Sequence, residues 1–126
     1  MSTAQAFERV RRLCTRFPEV SERPSHGAPT FFVQGKRTFL TLHDDHHGDG
    51  RLALWCAAPD GIQALLVDAD PVTYFVPPYV GHRGWLGVRL DRGIGDDELA
   101  GVVEDAYASV APERLLAQAG LLEPDA

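Results

Sequence analysis

With 126 residues, 44% of them apolar, the chain is long enough for one globular domain to bury a core without disulfide or metal staples, and too short for a second domain. Its 18 Asp/Glu against 12 Lys/Arg leave a net charge of −6, so the molecule as a whole gains little from neutralising phosphates. The charge is uneven: residues 1–40 carry seven Lys/Arg against three Asp/Glu, and everything after them is acidic.

Ala6, Phe7, Val10, Leu13, Cys14 and Phe17 recur at three- and four-residue steps, predicting an amphipathic helix from Thr3 to Phe17 that Ser2 or Thr3 can cap. Arg9, Arg11, Arg12 and Arg16 read as its solvated face. Pro18 ends it, and residues 19–28, with Pro24, Gly27 and no usable period, read as a loop. Two strand-like runs, 29–33 and 36–42, flank Gln34-Gly35, where glycine suits a tight hairpin. A polar connection, HDDHHGDG from His43 to Gly50, leads to a third strand over 51–56, in which Leu52, Leu54 and Cys56 alternate with Ala53 and Trp55.

Pro59-Asp60 opens a short helix to about Ala69, with Ile62, Leu65 and Leu66 on one face. Residues 73–76 extend briefly before Pro77-Pro78, and 84–90 supplies the last clear strand. There Leu86, Val88 and Leu90 point to the core while Trp85, Gly87 and Arg89 point the other way. After a turn at 91–93, Asp96 suits an N-cap, with Asp97 and Glu98 at the positive end of the helix dipole. Leu99, Val102, Val103, Ala106, Tyr107 and Val110 give a second amphipathic helix, which Pro112 breaks before a final turn at Leu115 and Leu116. This order predicts a single α+β domain over 1–126, an antiparallel sheet of about four to six strands packed by N- and C-terminal helices.

Cys14 and Cys56 lie in apolar contexts without CxxC spacing, so buried reduced thiols are expected rather than a disulfide or zinc site. Met1-Ser2-Thr3 opens no apolar signal region and no run approaches a bilayer span, so a soluble, cytoplasmic protein with no membrane partner is expected. The His43–Asp49 loop matches neither HExxH nor a calcium loop and reads as solvated, with no metal expected. No GxSxG elbow or phosphate-cradling glycine loop is present, so neither catalytic residues nor a cofactor are expected.

The chemistry concentrates in VPPYVGHRGWLGVRL, residues 76–90. Trp85 and Arg89 share one strand face with Gly87 leaving a notch between them, and Tyr79, His82 and Arg83 approach from the preceding loop. An exposed face of this kind stacks on a base or another planar ligand and pairs with an anion; a face covered by a helix makes Trp85 packing and leaves Arg89 to a carboxylate.

Taken together, the Phe17-Pro-Glu-Val20 helix end, His26-Gly-Ala-Pro-Thr-Phe31, Ala69-Asp-Pro71, Tyr74-Phe75, Pro78-Tyr-Val-Gly81, Gly84–Leu90, Asp105-Ala-Tyr107 and Ala111-Pro112 make the chain resemble the MmcQ/YjbR family of small bacterial proteins from Arg12 to about Ala117. The resemblance implies a frataxin-like or double-wing α+β fold and DNA binding without catalysis. It also makes His47, Asp49 and Arg51 candidates for a site, as a pattern similar to one branch of the family. Similar chains also carry the name phosphoribosylglycinamide formyltransferase, whose length and Rossmann-type beginning this chain lacks. Two partners are therefore expected. DNA would be bound by the basic first helix or the Trp85 face. Alternatively, an aromatic or anionic small molecule would be held by Trp55, Tyr79, His82, Arg83, Trp85 and Arg89. Oligomeric state is not legible.

Overall fold

The protein's structure, a computed structural model, describes residues 2–122. Helix α1 (Thr3–Cys14) starts in a capping box, Ser2 accepting from the Gln5 backbone N–H while the Gln5 side chain accepts from that of Ser2. It stops at Cys14 rather than Phe17. The apolar period runs on because Phe17, in the turn beyond, stacks on Tyr107 with ring centroids 4.6 Å apart.

The predicted loop over 19–28 is instead a strand and a turn. Strand β1 (Val20–Ser25) pairs antiparallel with β2 (Ala28–Val33), from Val20 opposite Val33 to Ser25 opposite Ala28. His26 and Gly27 join them, both left-handed at φ 52° and 79°, as a two-residue hairpin of this kind requires. Being an edge strand, β1 is mostly solvated and tolerates Pro24, and both properties erase the alternation that marks a strand.

The Gln34-Gly35 hairpin joins β2 to β3 (Arg37–Asp44), again with two left-handed residues. Leu40 pairs with Phe31 and Thr38 with Phe32, which leaves Phe39 as the extra residue of a β-bulge. Phe39 and Leu40, adjacent in sequence, are thereby both fully buried in one core. Strand β4 (Leu52–Cys56), helix α2 (Ile62–Ala69) and strands β5 (Tyr74–Phe75) and β6 (Leu86–Arg89) follow, giving a six-stranded antiparallel sheet in the order β1-β2-β3-β4-β6-β5. α2 begins two residues later than Pro59-Asp60 suggests, because Pro59 first closes a turn by accepting from the Ile62 N–H.

In α3 (Asp96–Val110) the N-cap is Gly95, not Asp96. Asp96 is engaged elsewhere, accepting from Arg9 at 2.7 Å and so tying α3 to α1. Helix α4 (Glu113–Gln118) follows Pro112 and buries Leu115. The sheet's inner face, with Phe31, Leu42, Leu54, Leu86 and Val88, forms one core with Val10 of α1, Leu99 and Val103 of α3, and Leu115. Its outer face carries a second, smaller cluster of Ala53, Trp55, Ala57, Phe75 and Trp85. This is the α+β arrangement that the order of elements predicts, with one strand more than the periodicity reveals. No helix among the described residues is long and apolar enough to cross a membrane.

Candidate functional site

Strand register sets the site. Thr30, Thr41, Trp55, Gly87 and Phe75 stand opposite one another across five strands and therefore share the outer face. Part of that row floors a cavity of about 620 Å³, in the size range of small-molecule sites. The β1–β2 turn contributes His26, the β3–β4 connection His46 and His47, and the loop before β6 Tyr79, Val80 and Arg83; Trp55, Trp85 and His43 lie below. The Gln63 side-chain amide anchors the last of these loops to the sheet by donating to the carbonyls of Gly81 and Trp85.

The connection between β3 and β4 has unusual backbone. Asp45 and His47, on either side of His46, are both left-handed at φ 57° and 49°. Such geometry is uncommon for residues other than glycine, with Asp and His among those that adopt it more readily. It stands His46 edge-on to the Trp55 indole at 4.8 Å, and Tyr79, itself left-handed at φ 65°, stands edge-on to His46 at 5.9 Å. On the opposite side the His43 ring stacks on Trp55 at 3.6 Å and hydrogen-bonds the Thr41 hydroxyl at 2.7 Å.

Burial holds the His43 pKa down to about 4, reinforced by neighbouring His46 and opposed by Asp49, so the ring is a neutral plate at neutral pH. Trp55 is only 5% exposed, yet among the described residues its Nε1 has no hydrogen-bond partner, and neither has the buried Nε2 of His46. Two unpaired buried polar atoms on touching rings are unusual in a folded protein.

Of the residues singled out in the sequence, the cavity gathers Trp55, Tyr79, Arg83, Trp85 and His47. Arg83 lies over Trp85, 5.4 Å from the ring centroid. The others are placed elsewhere. His82 is exposed outside the lining. Arg89 is locked to Asp91 at 3.0 Å. Asp49 accepts from the Arg51 backbone N–H, and the Arg51 guanidinium covers the Phe75 ring at 4.1 Å. The notch expected at Gly87 is filled by that same Phe75 ring, to which a Cβ at Gly87 would come within 2.5 Å. Trp85 is therefore both buried and part of the cavity lining, so neither sequence alternative describes it fully.

Sequence reasoning passed over His26, His43 and His46 in this role. A signal for His43 was present, since Thr41 and His43 alternate with Leu40 and Leu42 and so fall on the Trp55 side. Among the described residues no group of three or more His, Cys, Asp or Glu side chains could hold a metal ion. Cys14 and Cys56 are buried and free, and burial raises both thiol pKa values. A depression of about 580 Å³ along α1 is lined by that helix alone, which makes it a groove, and its Arg11 is paired with Glu8 and Glu22.

A six-stranded antiparallel sheet, helices on its inner face and a loop-walled cavity on its outer face define the class of domain. The chain belongs to the YjbR family, whose model matches residues 15–109. Its fold is similar to the crystal structure of the Deinococcus radiodurans protein DR2400, which has a DUF419 domain, with a TM-score of 0.74 at 18% identity over 96% of this chain and 92% of that one. Comparison with curated proteins finds no match.

Proposed function

We propose that the protein binds a small planar aromatic molecule in the outer-face cavity and performs no chemistry on it. The observation that supports this reading is the grouping of Trp55, Trp85 and the stacked neutral His43 beneath histidine- and tyrosine-bearing loops. Flat apolar surface with a few fixed polar groups is what recognises a ring. The Thr41–His43 pair fits binding better than catalysis: among the described residues no carboxylate hydrogen-bonds the other ring nitrogen, and the depressed pKa makes His43 a weak base.

Both tryptophans of the chain line the cavity, so intrinsic fluorescence reports directly on it. Titration with a set of neutral and charged two-ring aromatic fragments is expected to give saturable quenching for some members, with NMR shifts in residues 41–47 and 79–85. No quenching by any member, or shifts confined to other surfaces, would refute the reading.

DNA binding, expected from the family, draws support from Arg23, Lys36 and Arg37 at the β1–β3 end of the sheet, none of which has a carboxylate within salt-bridge distance among the described residues. The basic first helix is a poorer candidate. Arg9, Arg11 and Arg12 are each paired with Asp96, Glu8 or Glu22. Three cations fall short of the roughly six to ten phosphate contacts typical of strongly salt-dependent binders. A duplex titration at several salt concentrations measures the number directly from the log–log slope.

A further inference from the structure

Resting on the reading of the cavity as a small-molecule site, we propose that its ligand is a planar aromatic acid, bound as the carboxylate and selected against its neutral counterpart. Three observations converge on this chemistry.

The first is charge. The chain has 18 Asp/Glu, yet no described carboxylate lines the cavity, while Arg83 and the rings of His26, His43, His46 and His47 do. A cavity whose described lining holds one guanidinium and no carboxylate favours an anion over a cation. Asp49, the acid that bears on His43, is held to the Arg51 backbone and guanidinium.

The second is an uncommitted cation. Arg83 is exposed beside Trp85 and has no salt-bridge partner among the described residues; Arg23, Lys36 and Arg37 have none either, but of these four only Arg83 lines the cavity. A guanidinium over an aromatic face is placed to meet an anion whose ring lies on the same face.

The third is the pair of unpaired atoms. Trp55 Nε1 can only donate, and it is buried without an acceptor. His46 Nε2, on the ring edge-on to that indole, is likewise unpaired. A carboxylate supplies only acceptors, with up to about four lone-pair sites, and so can satisfy an indole N–H and an imidazole N–H together. A carboxamide also brings an acceptor oxygen but no charge for Arg83, so the acid gains the charge-assisted contacts that the amide lacks. The Trp55 and His46 rings are in edge-to-face contact, their centroids 4.8 Å apart, so one acid group is small enough to serve both.

The test is calorimetric titration of the full chain with benzofuran-2-carboxylate and benzofuran-2-carboxamide at neutral pH, alongside the neutral fragments of the fluorescence set. The acid is expected to bind about tenfold or more tighter than the amide, the increment of a hydrogen bond to a charged group. Arg83→Gln and Trp55→Phe should each bring the acid-to-amide affinity ratio down towards one, the acid losing more than the amide. Arg83 is exposed, so its variant keeps the experiment decisive if Trp55→Phe does not fold.

An amide that binds as well as the acid, or variants that weaken both probes equally, overturns the charge assignment while the aromatic site stands. If neutral fragments bind and the acid does not, the assignment fails in the same way. If no aromatic probe of either kind binds, the cavity reading itself fails.

Discussion

Gly87 carries out one of the most demanding tasks in the chain by having no side chain. The space on that part of the outer face is taken by the Phe75 ring, held between the Gly87 backbone and the Arg51 guanidinium. Gly87→Ala is expected to destabilise the protein by about 1–3 kcal/mol, the usual penalty for overpacking, as read from the urea midpoint. Adding Phe75→Leu should recover part of the loss, and an unchanged midpoint for Gly87→Ala alone would show that the ring is free to move. His43 makes a prediction of opposite character, because it concerns a proton. Its folded-state pKa is lowered to about 4 by burial, against about 6.5 for a free imidazole, so the unfolded chain takes up a proton that the folded chain refuses. The stability linked to this ring is complete above about pH 6.5 and is lost as the pH falls towards 4. With the half-exposed ring discounted for solvent screening, the loss is about 1–2 kcal/mol. Urea titrations from pH 7 to pH 4.5 should show wild type losing more stability than His43→Gln, and parallel curves would rule the effect out.

Among the elements, the two hairpins show what local sequence conveys and what it hides. Gln34-Gly35 lies between two strongly apolar runs and is readable as a turn, whereas His26-Gly27 has the same left-handed backbone but follows the solvated strand β1. With four of its six residues exposed, β1 owes its conformation to the ladder offered by β2, and a partner strand is invisible in a local window. The cavity was legible to a similar degree. Trp55 and Trp85 announce themselves by residue type, while His26 and His46 enter it only because a hairpin and two left-handed residues carry them there. The β2–β3 turn also yields a prediction. Gln34 sits at φ 56°, where a side chain is strained and glycine is not, so Gln34→Gly should be neutral or stabilising by up to about 1 kcal/mol in thermal unfolding. A clear loss of stability would mean that the Gln34 side chain outweighs the strain.

At the scale of the molecule, one sheet serves two purposes that its alternation keeps apart. Leu54 and Cys56 of β4 close the main core while Trp55, between them, floors the cavity. The parity of the strands was readable from the sequence, but the identity of what covers each face was not, since it depends on helices and loops far away in the chain. The walls of the cavity differ from its floor in one further respect. The floor belongs to central strands paired on both sides, and the walls belong to turns and connections that share few backbone hydrogen bonds with the sheet. Backbone amides of 53–56 and 86–88 should therefore exchange with deuterium only by large-scale unfolding, and those of 46–50 and 79–84 by small local openings. A bound ligand should slow the second group well before it alters the first. Recognition would then be recorded as the quieting of two loops above a sheet that was already still.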